Sequence, residues 1–313
     1  MRLLQTVEIL SMETRYLETF LLVVEHGSLA EASRRLAITP AAVAQRMQAM
    51  EEEIGVPLLI RSGRQMRPTD AGHAILEQTR RILTDVRHLR ILAAKDMPSG
   101  ELRLGAISTA LMGLLPSALQ RLRASVPDVE VFILPGTSSA LYQQLVDGMV
   151  DAVLIVQPPF PILKSFDWQL VRSERLILLC PTAWSHEDIQ TLLATRPFLR
   201  YDRNNWGGRL ADQYLQDFSI TPREWLELDS LEAIAVMVGN GLGIALVPDW
   251  SRPWPDTGTF VRLELPPPAR AREVGMLWPR GSPVGRLVHV LLKALDAANQ
   301  EPAPAPIDII PID

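Results

Sequence analysis

Between Thr14 and His26 the apolar residues Leu17, Phe20, Leu21 and Val24 recur at helical spacing and Gly27 stops the run, which predicts an amphipathic helix. Ser28, three residues before Glu31 in a capping-box spacing, opens a second helix to about Leu36, with Leu29, Ala32 and Leu36 inward. Ala37 and Ile38 allow only a tight turn before a third helix starts at Thr39-Pro40, an N-cap residue followed by proline at the first helical position. Helix, short turn, helix is the helix-turn-helix pattern. In "GVPLLIRSGRQMRPTDAG" two short extended pieces follow around Ser62-Gly63, with Arg61, Arg64 and Arg67 at the turn, and read as a basic wing. Thr69 caps a long helix, roughly Asp70 to Lys95, in which Ile75, Thr79, Ile82, Val86, Leu89 and Ala93 alternate four and three apart. Such a seam predicts a dimerisation helix, the alternative being packing onto its own domain.

"DMPSG", residues 96–100, reads as a linker. Beyond it extended apolar runs alternate with helical ones: Leu102 to Ile107, a helix through Leu111 to Leu122, Val129 to Leu134, a helix through Leu141 to Val146, then "DAVLIV". A second unit begins near Leu176 and includes "PFLRYD", a helix through Ser230 to Val238 and the strand "GIALVP". A strand at Val274 to Trp278 and a helix at Val284 to Ala297 close it. Strands interleaved with helices predict an α/β fold with parallel sheets. The proline-rich "EPAPAPIDIIPID" reads as a disordered tail.

The 313 residues exceed what one core usually serves, so two or three domains are expected. The single cysteine, Cys180, follows the apolar run Leu176 to Leu179 and reads as a buried, inert thiol; without a disulfide framework the cytoplasm is the expected compartment. Phe20 to Val24 is too short for an export signal and is flanked by Glu18 and Glu25, and no stretch is long enough to cross a membrane. Met12 begins "METRYLETF", so the first eleven residues read as an extension or a misplaced start.

On the third helix Val43, Met47 and Met50 form the inward stripe, leaving Thr39, Pro40, Ala41, Ala44, Gln45 and Gln48 on a small, unbranched outer face. Such a face suits a major groove, where Gln pairs with adenine and Thr or Ala touches a thymine methyl; alone it would equally suit solvent. The net charge of −5 does not oppose DNA binding. Between Ser28 and Arg67, Arg34, Arg35, Arg46, Arg61, Arg64 and Arg67 outnumber Glu31, Glu51, Glu52 and Glu53, and the acidic excess lies elsewhere. Ser28, Arg34, Thr39, Pro40, Ala41, Gln45, Gln48, Arg61 and Arg64 are therefore the expected contacts to double-stranded DNA.

The stretch from "YLETFLLVVEHGSLAEASRRLAITPAAVAQRMQAMEEEIGVPLL" through "RPTDAG" resembles the winged helix-turn-helix of LysR-type transcriptional regulators. "GELRLGAIST", "LLPSALQRLRASVPDVEV", "LVDGMVDAVLIV" and "MVGNGLGIALVPDW" resemble that family's effector domain, so the likeness spans nearly the whole chain. It implies a winged helix-turn-helix in 1–69, a linker dimerisation helix in 70–96 and a two-lobed, periplasmic-binding-protein-like effector domain in 97–300, with 301–313 as the tail. It also implies a homodimer assembling to a homotetramer, a small-molecule effector, and an influence on RNA polymerase. Two positions depart from the family pattern: Thr39-Pro40-Ala41-Ala42-Val43-Ala44 stands where Ser-Gln-Pro-Ala-Val-Ser is usual, and Leu59 replaces a phenylalanine. The operator sequence therefore cannot be borrowed from relatives.

In the resemblance two crossing strands join the lobes, and the effector binds between them at strand ends. Ser108 and Thr109 follow a strand and precede a helix, as do Thr137 and Ser138; "RYDRNNW" supplies Tyr201, Arg203 and Trp206 from the second lobe. The hydroxyls read either as helix caps or as carboxylate ligands, and Arg203 as a surface residue or as the clamp of an anionic effector covered by Trp206.

Catalysis finds no support in the residues: His26, His73, His88, His186 and His289 are scattered without metal-ligand spacing, and no cofactor or metal is expected. "GNGLG" at 239–243 follows a helix and precedes a strand, the reverse of a dinucleotide loop. A solute-binding protein would lack the attached helix-turn-helix. The remaining alternative is an architectural or ligand-independent DNA-binding regulator with an inactive sensor pocket.

Overall fold

The computed structural model describes residues 12–93, 100–251, 253–255 and 258–300. The extension 1–11, linker residues 96–99 and the tail 301–313 lie outside them. The chain divides into two compact units within its long helix, between Leu89 and Arg90.

The first unit contains α1 (Thr14–His26), α2 (Leu29–Leu36), α3 (Pro40–Ile54), the hairpin β1 (Leu59–Ser62) and β2 (Gln65–Pro68), and the start of α4 (Asp70–Ala93). Ser28 Oγ accepts from Glu31 N at 3.3 Å and Thr39 Oγ1 from Ala42 N at 3.2 Å, so both N-caps form. Leu17, Phe20, Val23, Ala32, Val43, Met47, Met50 and Leu58 make one core. Glu51 holds the entry to the wing: its Oε1 accepts from Leu58 N at 2.7 Å and Leu59 N at 3.0 Å. Gly72 lets α4 approach the same turn, since a Cβ there would stand 2.2 Å from the Leu58 carbonyl oxygen. The seam of α4 splits: Thr79 is buried and Ile75 packs on this core, whereas Ile82, Val86 and Leu89 are exposed.

The second unit continues with β3 (Gly100–Ala106), α5 (Ser108–Gly113), α6 (Leu115–Ser125), β4 (Val129–Pro135), α7 (Ser138–Val146) and β5 (Ala152–Val156). There follow β6 (Phe166–Pro181), a short 3₁₀ turn, α8 (Ile189–Thr195), β7 (Pro197–Tyr201), α9 (Gly208–Asp217), β8 (Arg223–Leu228), α10 (Leu231–Gly239), β9 (Ala245–Pro248), β10 (Phe260–Glu264), β11 (Ala271–Pro279) and α11 (Gly285–Gln300). The helix expected through Leu111 to Leu122 is two, broken at Leu114 just before Pro116, which has no N–H for the intrahelical ladder.

Two strands carry the chain between lobes. β6 is 16 residues long: its first part pairs with β11 beside the first lobe, and Leu176 to Pro181 pair with β9 and β10 in the second. The sequence reading began this strand only at Leu176, because the earlier half carries charges among its apolar residues and bulges opposite Val274/Gly275. Gly275 gives Trp168 room on β11; a Cβ would come within 2.4 Å of the indole. The expected parallel pairing forms in part of each lobe, and antiparallel strands join it. β3 runs parallel to β4 and β5, and β7 to β8, but β11 is antiparallel to β5 and β6, as a returning strand must be. α8, α9, β8 and β10 were not read from the sequence. β8 mixes charged and apolar residues and is largely exposed, leaving Trp225 mostly in solvent.

Candidate functional site

The first unit presents one uninterrupted outer face on α3. Thr39, Pro40, Ala41, Ala44, Gln45 and Gln48 are all exposed while Val43, Met47 and Met50 are buried. Arg46 does not share that face. Its Nη1 donates to Thr19 Oγ1 at 3.2 Å and ties α3 to α1. Gln48 Nε2 donates to Glu52 Oε1 at 2.8 Å, so Gln45 carries the amide without a neighbouring carboxylate in hydrogen-bond contact. Arg61 and Arg64 project from the wing turn, with Arg61 Nε donating to Gly63 O at 3.3 Å. Arg34 is exposed on α2 but ion-paired with Glu31, whose carboxyl is held below its usual range by that guanidinium. Ser28 spends its hydroxyl oxygen on the α2 cap.

In the second unit a cavity of about 300 Å³ opens between the lobes. Ser108, Thr109, Thr137, Ser138, Tyr201 and Trp206 line it, together with Asn205, Asp229, Ser230, Glu232 and Arg272, which sequence reasoning missed. α7 and α10 begin at its wall, and Gly207, the residue before α9, also borders it. Trp206 belongs to the second lobe by chain position yet packs with the first lobe's core, edge-on to Phe160 at 5.6 Å and to Tyr142 at 6.0 Å.

Arg272 is the central charge. It is 2 % exposed, and its Nε and Nη2 reach Glu174 Oε2 at 2.7 and 2.5 Å while Nη2 also donates to Thr109 Oγ1 at 3.1 Å. One side chain thus links the β6–β11 pair to the first lobe's α5. Burial pushes the Glu174 carboxyl up and Arg272 opposes it; the Tyr201 phenol is pushed up by burial with Arg272 again opposing. Both charged residues lie just outside the apolar runs that were read as strands, which is why neither stood out. The available signal was a charge of each sign immediately preceding such a run.

The hydroxyls divide by use. Thr137 Oγ1 caps α7 through Ala140 N at 3.4 Å, and Ser138 Oγ accepts from Val156 N at 3.1 Å, so the capping alternative describes Thr137. Ser108 is exposed, and its hydroxyl has no hydrogen-bond partner among the described residues. Arg203 requires a correction. It lies outside the cavity, exposed, with Nη2 2.7 Å from Glu224 Oε2 and Nε 3.2 Å from Glu227 Oε1. Two carboxylates on the neighbouring strand β8 draw it to the surface.

Cys180 is buried, as expected, and burial pushes its thiol up to about 11. Among the described residues no cluster of His, Cys, Asp or Glu could hold a metal ion, and no helix is long and apolar enough to cross a membrane.

Comparison with known proteins agrees with both units. Residues 14–73 match the family model for the bacterial regulatory helix-turn-helix protein, lysR family, and 95–300 match the LysR substrate binding domain. The HTH-type transcriptional regulator CzcR of Bacillus cereus is 30% identical over 239 residues, 76% of this chain and 80% of that protein. The transcriptional activator IlvY of Salmonella typhimurium is 26% identical over 245 residues, 76% of this chain and 83% of its own length. Among solved structures, a cysteine-to-aspartate variant of full-length OxyR from Pseudomonas aeruginosa shares the fold with a TM-score of 0.68 at 23% identity, covering 91% of this chain and 94% of that one. CbnR complexed with its target DNA gives 0.64 at 23% identity, covering 92% and 100%. An N-terminal winged helix joined to a two-lobed domain with a lined cavity, matched by family models over both parts, makes this chain a member of the LysR family of transcriptional regulators.

Proposed function

We propose that this regulator reads double-stranded DNA with the Thr39 to Gln48 face of α3 and the wing arginines, and that a small molecule held between its two lobes changes how it does so. The observation that carries the effector reading is the Arg272 bridge, which joins the β6–β11 pair to Thr109 at the cavity wall. A ligand contacting both lobes competes with or reinforces that bridge, and so biases the angle between them.

Dimerisation is proposed through the α4 seam, supported by the exposure of Ile82, Val86 and Leu89 at seam positions. Two recognition helices per dimer then enter successive major grooves about 34–36 Å apart. Effector domains pair dimers into a tetramer on two sites, and lobe closure alters DNA bending and access for RNA polymerase, with coupling of about 1–3 kcal/mol. The setting is the cytoplasm, where the DNA is, and the protein performs no catalysis.

The test begins by selecting bound sequences from a random duplex library with the full chain, then footprinting the selected operator with and without metabolite mixtures. A metabolite-dependent change in footprint supports the reading. A footprint identical under every fraction, with DNA binding intact, leaves a ligand-independent regulator. For the seam, Val86→Glu with Leu89→Glu should give a monomer in sedimentation, and a persistent dimer removes α4 from the interface.

A further inference from the structure

The second lobe holds another cavity, of about 460 Å³, that shares no residue with the one between the lobes. The two stand at opposite ends of α9: Trp206 and Gly207 precede that helix at the first, and Phe218 follows it at the second. Ile220 N donates to Leu215 O at 2.8 Å, and Ser219 N, at φ 53°, donates to Gln216 O at 3.0 Å. This left-handed turn ends the helix and brings Ser219 and Ile220 to the space beside α8, where Ile189, Leu193 and Pro266 complete an apolar wall. Among the described residues, no charged side chain lines it.

Tyr214, from the inner face of α9, borders this cavity and is 4 % exposed, yet its hydroxyl has no hydrogen-bond partner among the described residues. Native folds pair the great majority of polar groups buried to this degree. The oxygen is not sealed off. Unlike the Trp250 indole nitrogen, which is unpartnered and closed, it keeps surface that a small molecule can touch. Burial pushes the phenol up, so at neutral pH it holds its proton and can donate as well as accept. Its ring stands 4.7 Å from that of Phe218, tilted by 38°, and both rings border the cavity.

A charged ligand would lose its hydration here with no opposite charge to replace it. A pure hydrocarbon would fill the space and leave the Tyr214 hydroxyl unpartnered. A ligand hydroxyl, which donates and accepts like the tyrosine's own, can pair with it in either sense. About 460 Å³ admits one or two aromatic rings, which suit the Tyr214 and Phe218 faces. We infer that this cavity is a second small-molecule site, for an uncharged aromatic compound of the phenol class whose hydroxyl pairs with Tyr214. It stands apart from the effector reading above, because neither cavity needs the other to be filled.

Ligand-observed NMR titration of the full chain at pH 7 tests this with two matched sets: 2-naphthol, naphthalene and 2-naphthoate; 4-methylphenol, toluene and 4-methylbenzoate. Ala194 is exposed and borders the cavity, so Ala194→Phe should block it, and the binding this variant removes is the binding that counts. Thr221→Phe, at another exposed position on the lining, repeats the block from a different element. In at least one set the phenol should bind fivefold or more tighter than the hydrocarbon and tenfold or more tighter than the acid. Tyr214→Phe should lower the phenol to the hydrocarbon's affinity and leave the hydrocarbon's unchanged. Without ligand, Tyr214→Phe should melt no lower than the parent, since its hydroxyl has no bond to lose; a lower melting temperature overturns the inference. An acid or a hydrocarbon binding there as tightly as its phenol overturns it too. So does phenol binding that survives both blocking variants, and so does silence from all six compounds.

Discussion

The α3 face proposed to read DNA lies between Thr39 and Gln48 on a single helix, whereas the cavity joins Thr109 to Arg272 across 163 positions of chain. The first arrangement follows from the period of one helix: once Val43, Met47 and Met50 are buried, the opposite face is determined. The second depends on where β6 and β11 pair, and no local pattern announces that. A local site can be altered one contact at a time, while a non-local one ties function to the stability of the unit that holds it. Variants in the two regions should therefore fail differently.

The largest expected effect is at the cavity. Arg272→Ala leaves the buried Glu174 facing only Arg172, 3.8 Å from its other oxygen, and should cost about 3–5 kcal/mol, read as a lower melting temperature of the full chain. Replacing both, as Arg272→Met with Glu174→Leu, should recover part of that loss, and a double variant no better than the single one would show that Arg172 also depends on the Glu174 carboxylate. At Gly72 a Cβ must displace the Leu58 carbonyl, so Gly72→Ala should destabilise the first unit by about 1–3 kcal/mol. The expected signature is weaker operator binding, with the second unit's ligand titrations unchanged.

Gln45→Ala should leave melting untouched and weaken the selected operator by about 1–3 kcal/mol, with relaxed preference at one base position. A loss equal for all sequences would make Gln45 a phosphate contact instead. Arg61→Ala and Arg64→Ala should each weaken binding to all sequences and reduce the slope of log affinity against log salt by about 0.9. The smallest effect belongs to Arg203→Ala, which removes exposed ion pairs of about 0–1 kcal/mol and should not change effector affinity. A lost response there would restore the clamp role that its position argues against. Cys180 supplies a control for the second unit. With its thiol pushed up to about 11 by burial, roughly a thousandth is ionised at pH 8, so alkylation of the native chain should be slow and should quicken on unfolding.

Much of this was legible beforehand for physical reasons that differ by element. Ser28, Thr39 and Thr69 announce helix starts through the hydrogen bonds their hydroxyls go on to accept, from Glu31 N, Ala42 N and Gly72 N. Thr137 and Ser138 were placed at the cavity by the same strand-then-helix logic, although their oxygens serve backbone groups. Arg203 misled because "RYDRNNW" lies at the right strand end while its arginine turns toward Glu224 and Glu227, which lie 21 and 24 residues later. Asp229 and Glu232 were invisible as cavity residues because their place there depends on where the start of α10 meets the first lobe, a fact about packing.

By itself the sequence determined the winged helix-turn-helix, the exposed face of α3, the long helix and the alternation of strands and helices, because each follows from spacing within a few turns or residues. Only the tertiary structure decided that β6 spans both lobes, that β11 returns antiparallel, and that Arg272, not Arg203, stands at the cavity. Those outcomes depend on which strands pair and on where a charge finds its partner in a low-dielectric interior, and both are settled by residues far apart in the chain.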